Sequence, residues 1–126
     1  MSIGKTASSL VLALVVSACA TTTRLPVTDV PAGTYVLVEP ASDEYNAVTI
    51  SENAFAARMG TMTQSGQHWL DSEGRLHMTV DAGPCAGVES IWTYQYSGNR
   101  VTLDLVEDLC TERPTAFPQR MVYERR

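Results

Sequence analysis

The chain has 126 residues and carries 9 basic against 14 acidic side chains, a net charge of −5. That length suits one domain with a modest core. The acidic balance argues against nucleic acid and against a polybasic membrane patch as partners, and solubility is its simplest explanation.

At the start, Lys5 precedes an apolar stretch that is densest from Leu10 to Val16. The stretch is too short to span a bilayer, which takes about 20 apolar residues. A charged start, a short apolar run and the small residues Ser17 and Ala18 read as a secretory signal over residues 1–18. The next residue is Cys19. Together, Val16-Ser17-Ala18-Cys19 resembles the lipobox of bacterial lipoproteins. The resemblance implies cleavage just before Cys19, diacylation of its thiol and acylation of the new amino terminus. Each buried CH₂ of such chains contributes about 0.8 kcal/mol, and two or more chains anchor stably. The membrane partner is then reached through this lipid, and the location is the cell envelope. Ala20, where aspartate would direct retention, resembles the sorting pattern for an outer membrane, facing the periplasm if the source has two membranes. An ordinary secretory signal with a chance cysteine is the competing reading. Cleavage leaves 108 residues, with 8 arginines against 14 acids.

Residues 19–32 read as the lipidated cysteine and a flexible tether. Thr21 to Pro31 is rich in threonine, contains Pro26 and Pro31, and has no repeating apolar pattern. At most ~3.5 Å per residue, it would hold a domain up to about 35 Å from the lipid.

From residue 33 to 126 the chain reads as strands. Gly33 to Glu39 is β-branched and aromatic and stops at Pro40. Tyr45 to Ser51 alternates, with Val48 and Ile50 on one face. Asn53 to Met59 alternates through Phe55, Ala57 and Met59 until Gly60, although Ala54 to Met59 would equally make a turn of helix. Thr61 to Leu70 has the weakest strand pattern, and Asp71-Ser-Glu-Gly74 is turn chemistry. Arg75 to Asp81 sets Leu76, Met78 and Val80 against His77, Thr79 and Asp81. Glu89 to Tyr96 aligns Trp92, Tyr94 and Tyr96, and Asn99 to Val106 aligns Val101, Leu103 and Leu105. Ser97-Gly98-Asn99 joins these two as a hairpin. Gln119 to Arg125 alternates again.

Eight short strands in sequential hairpins predict an all-β, antiparallel up-and-down barrel, which removes exposed sheet edges. A two-sheet sandwich has the same period. With Cys19 lipidated, Cys85 and Cys110 remain as one pair. They fall in the connections between strands five and six and between seven and eight, which an up-and-down order brings to the same end. A disulfide there suits an exported protein. It would close a loop of about 26 residues, stabilising by roughly 3–4 kcal/mol on the chain-entropy account. The long connections, Glu39–Glu44, Ala82–Val88 and Glu107–Pro118, share that end, and the tether enters at the other.

Gly83-Pro-Cys-Ala-Gly87, Ile91-Trp92-Thr93-Tyr94, Gly98-Asn-Arg-Val-Thr-Leu103 and Asp108-Leu-Cys-Thr-Glu-Arg113 together resemble small secreted bacterial domains described as lipocalin-like. The likeness spans about 40 of the 108 residues. It implies a calyx-like barrel and no particular ligand. The glycine-tryptophan opening of many lipocalins is replaced by Gly33-Thr34-Tyr35, which loosens the link to that wider group.

Catalytic and metal constellations are not evident. His68 and His77 lack ligand spacing to a second donor, with Asp71 near His68 the only hint. No serine has a nucleophile-elbow context, and Glu107-Asp108 reads as a solvated pair. No cofactor is expected. Arg113 has two readings: an anion contact at the barrel mouth, or an ion pair with Asp108 that pins the disulfide loop. Trp92, Tyr94, Leu103 and Leu105 are the candidate wall of an apolar pocket, against a small barrel filled by its own side chains. The expected function is non-enzymatic binding of a small apolar or amphipathic ligand in an envelope lipoprotein. The alternative is an envelope protein–protein module, an enzyme inhibitor or assembly factor, using the outward loops.

Overall fold

The computed structural model describes residues 23–113 and 117–126. The leader at 1–18, the lipobox and Cys19 lie outside the described residues. Eight strands follow in chain order: β1 (Gly33–Glu39), β2 (Asn46–Ile50), β3 (Ala54–Met59), β4 (Met62–Leu70), β5 (Leu76–Val80), β6 (Ser90–Ser97), β7 (Arg100–Asp108) and β8 (Arg120–Arg125). Each pairs antiparallel with the next, and β1 pairs with β8, closing the barrel. Closure distinguishes the barrel from the sandwich, because every ladder has a neighbour on both sides and no edge remains. Asn53 to Met59 joins the sheet as β3 and does not coil.

Tight turns hold the register. Met59 pairs with Met62 and Ser97 with Arg100, which leaves two-residue loops at Gly60-Thr61 and Gly98-Asn99. Each loop starts on a glycine with positive φ, 60° at Gly60 and 64° at Gly98, a conformation that costs glycine least. On the inner face, Tyr35, Leu76, Trp92, Val101 and Leu103 form the core, with Tyr35 and Trp92 each only 1% exposed. A bulge at Val106 shifts the β6–β7 register: Trp92 faces Leu105 while Ile91 faces Glu107. Beyond it, Asp108 comes opposite Ser90 at the end of the ladder.

Cys85 and Cys110 form a disulfide with Cα atoms 5.6 Å apart, linking the β5–β6 and β7–β8 connections. We call this the cysteine end and the opposite one the turn end.

Residues 23–32 do not hang from the barrel as a tether. Leu25 exchanges two backbone hydrogen bonds with Leu70, at 2.9 and 2.8 Å, and the Val27 N–H donates to Glu52 carbonyl at 3.1 Å. Val27 and Val30 are each 8% exposed and belong to the core. A small barrel leaves apolar interior uncovered at its turn end, and two valines three residues apart cover it. Burying each is worth about 1.5–3 kcal/mol, which adds to these backbone bonds in holding a segment with no repeating pattern of its own.

Candidate functional site

The barrel interior holds a partly open cavity of about 80 Å³. Val27 and Val30 face it from the turn end. Val48, Ile50, Phe55, Leu76, Met78, Leu103 and Met121 are among its apolar wall residues, with Tyr94 and Tyr123. The sheet supplies these because alternate residues of each strand face inward.

Tyrosine hydroxyls tie the N-terminal segment to the wall. Tyr35 donates to Pro31 carbonyl at 2.7 Å, and Tyr94 donates to the Asp29 carboxylate at 2.8 Å. Burial, and then the bond to Asp29, push the Tyr94 hydroxyl up to about 12. The phenol therefore stays a donor at any physiological pH. Tyr123 is raised by burial as well, and its hydroxyl sits 3.6 Å from the Met121 sulfur.

His68 is the polar member of the lining. It is 6% exposed and lies parallel to the Phe55 ring, with centroids 6.2 Å apart. Burial lowers its pKa, because the low-dielectric interior disfavours the charged ring. Its Nε2 lies 2.8 Å from the Ser51 carbonyl oxygen, so in the neutral ring this nitrogen carries the proton and donates. Gly66 makes room for this arrangement. A β-carbon there would overlap both the Thr79 carbonyl oxygen and the Phe55 ring.

Of the expected wall residues, Tyr94 and Leu103 line the cavity, while Trp92 and Leu105 do not. Trp92 stands nearer the cysteine end, donates from Nε1 to Ser90 Oγ at 2.9 Å, and meets the Phe117 ring edge-on at 5.9 Å. Leu105 packs against the same core. Arg113 is paired with Asp108, and its guanidinium lies 4.4 Å over Phe117. Arg113, Phe117 and Trp92 therefore stack in series at the cysteine end. Arg113 is engaged by its ion pair, as the second of its two readings has it, and both partners are mostly buried. The question of a filled or hollow barrel resolves between the two: side chains fill the cysteine end, and a small void remains toward the turn end.

Val27, Val30, Phe55 and His68 were not anticipated as lining. Val27 and Val30 carried no signal, since their burial depends on where the chain crosses the barrel. Phe55 and His68 sit on adjacent strands, and only the β3–β4 register stacks them. On the outer surface, a second cluster joins Asp71 to His77 and not to His68. His77 Nε2 lies 2.8 Å from the Asp71 carboxylate and Nδ1 3.0 Å from that of Glu89, and the protonated ring donates to both. Trp69 stacks on this ring at 5.6 Å, and Arg24 lies 3.9 Å over Trp69. Burial opposes the charged imidazole, but hydrogen bonds to the two carboxylates outweigh it and raise the His77 pKa. The bond from His77 in turn holds Asp71 down at about 2.

Among the described residues, no group of three His, Cys, Asp or Glu side chains is placed to hold a metal ion. What the fold and cavity define is a small closed β-barrel, stapled by one disulfide and covered at one end by residues 23–32. Comparison with protein-family models, curated proteins and solved structures finds no match to this chain.

Proposed function

We propose that this protein is a lipid-anchored, non-enzymatic component of the bacterial cell envelope whose barrel receives a compact apolar group of a small amphipathic molecule. The observation that carries the ligand reading is the almost wholly apolar, partly open cavity of about 80 Å³. An engineered cavity of about 150 Å³ lined by apolar side chains stays dry and binds benzene or xenon. By that scale, 80 Å³ holds about three heavy atoms. The resident is then a short alkyl end or branch, and a longer chain enters only if Val27 and Val30 give way.

The disulfide supports export to an oxidising compartment, and the lipobox resemblance at Val16–Cys19 supports the anchor. The binder reading, as opposed to a catalyst, draws on the two histidines. Both ring nitrogens of His77 are held by carboxylates, so neither is free to activate a nucleophile. His68 Nε2 is held by a backbone carbonyl.

Xenon and a series of short fatty acids, titrated against the mature chain, test the ligand reading. The Met78 and Met121 methyl NMR signals are expected to shift saturably, and shortening the floor with Val27→Ala should extend the longest chain accepted. No saturable shift of either methyl with any of these probes rejects a ligand cavity. Mass spectrometry of the processed chain tests the anchor: a first residue other than acylated Cys19 removes it.

A further inference from the structure

We propose that the barrel lip formed by β2, β3 and β4 at the cysteine end is a docking surface for a basic, partly apolar surface of another protein. This site is separate from the cavity and from the long loops that carry the two cysteines.

Three large side chains stand out at this corner: Met62 is 68% exposed, Tyr45 54% and Met59 40%. The backbone holds them together. Met59 pairs with Met62 across the turn and with Asn46 on β2, and the Gly60 N–H donates to the Tyr45 carbonyl at 3.0 Å. The lip is therefore a two-residue turn braced against β2, with Met59 and Met62 on one face and Tyr45, next to Asn46, on the other beside Arg58. Exposed apolar side chains gathered in one place mark interaction surfaces. Methionine and tyrosine suit such a surface, the first for its adaptable polarizable chain and the second for its rigid ring.

The rest of the molecule supports a one-sided reading. Among the described residues, seven large hydrophobic side chains are exposed, and all but Leu25 belong to the cysteine-end half. The charge is equally uneven. Of the side chains after Cys19, that half carries nine acids against three arginines, while the turn-end half carries five of each. The whole net charge of −6 after Cys19 therefore falls in the half that carries these apolar groups. At the lip itself, Arg58 is folded back. Its Nε donates to the Gly60 carbonyl at 3.2 Å, and its guanidinium lies 5.8 Å from the Tyr45 ring centre. Asp43 and Glu44 are exposed beside it. An apolar patch in a negative field selects a partner with apolar contacts ringed by lysine or arginine, and the field speeds its encounter. The N-terminal segment crosses the opposite end. If that segment leads to a lipid anchor, as proposed above, the lip points away from the bilayer, and the occupant is a protein of the aqueous compartment.

The methionines make the test selective. Met78 and Met121 line the cavity, whereas Met59 and Met62 sit on the lip. The lipidated mature chain, in nanodiscs of zwitterionic lipid, is titrated with a panel of amphipathic Leu/Lys and Leu/Arg peptides and with Leu/Glu counterparts. The expected result is saturable movement of the Met59 and Met62 methyl signals with basic peptides alone. Raising salt from about 50 to 300 mM should weaken it at least tenfold, and Met62→Glu combined with Tyr45→Ser should weaken it at least tenfold, leaving Met78 and Met121 unmoved. Equal binding of acidic peptides, or no saturable shift with any basic one, overturns the docking surface. So does movement of Met59 and Met62 with vesicles and not with peptides. Movement of Met78 and Met121 alone also overturns it, while leaving the cavity reading intact.

Discussion

His77 holds the outer wall of the barrel by a doubly charge-assisted clasp, and its consequences for pH have a definite sign. Its pKa is raised in the folded state, so its stabilisation is complete below the unfolded value of 6.5 and is lost as pH rises through the folded value. Asp71 is held at about 2 against an ordinary 3.8. Its share is present above 3.8 and lost as pH falls through about 2. Arg75, whose Nε lies 3.5 Å from the same carboxylate, and Arg24 on the far face of Trp69 are the cations nearby. His68 acts in the opposite direction. Buried with a lowered pKa, it resists protonation, so stability falls as pH drops below 6.5. His77→Gln should therefore cost about 1–3 kcal/mol at pH 5 and much less at pH 9. Urea midpoints for the variant and the parent at both pH values check this, and an equal loss at both would contradict the clasp. Gly66→Ala is the other prediction at this scale. A methyl group aimed at the Phe55 ring and the Thr79 carbonyl should destabilise by about 2–3 kcal/mol, measurable by the same unfolding experiment.

The segment 23–32 behaves as a ninth element without being a strand. It contributes two buried valines, accepts two tyrosine hydrogen bonds and makes one isolated bridge to the end of β4. Val27→Ala should lower stability by about 1–3 kcal/mol. Tyr94→Phe should loosen the segment by removing the bond to Asp29, at a cost of about 1 kcal/mol. Hydrogen exchange reads this directly: protection of the Leu25 and Val27 amides, both backbone-bonded, should fall in Tyr94→Phe while β6 and β7 amides keep theirs. Uniform loss across the barrel would instead mean that the hydroxyl supports the wall and not the floor.

For the molecule as a whole, the disulfide and the uneven charge matter most. The bridge joins residues 25 apart in sequence across two connections of one end, where the longest irregular segments lie. Replacing both cysteines by serine should cost roughly 3–4 kcal/mol. The loss should appear as a lower thermal midpoint with the same cooperative transition, since the ladders themselves remain closed. A broadened, multi-step transition would show that the bridge sustains the barrel's unity. The charge asymmetry makes one end of the molecule acidic and leaves the other, neutral, end beside the N-terminal segment.

Strand positions were legible in the chain within a residue or two, because alternation of period two and glycine turns are local properties. Topology followed, since sequential hairpins leave few alternatives, and with it the pairing of Cys85 with Cys110. Arg113 with Asp108 was readable from five-residue spacing in one loop. Sequence alone did not reveal which inward residues surround a void and which fill it. Trp92 and Tyr94 alternate identically, yet Phe117 covers the first and the second faces open space. Nor did it reveal that Val27 and Val30 close the barrel, or that His77 and not His68 meets Asp71. Those facts depend on strand register and on where an irregular segment crosses the sheet. Both are fixed by contacts between residues distant in the chain, and no local pattern records them.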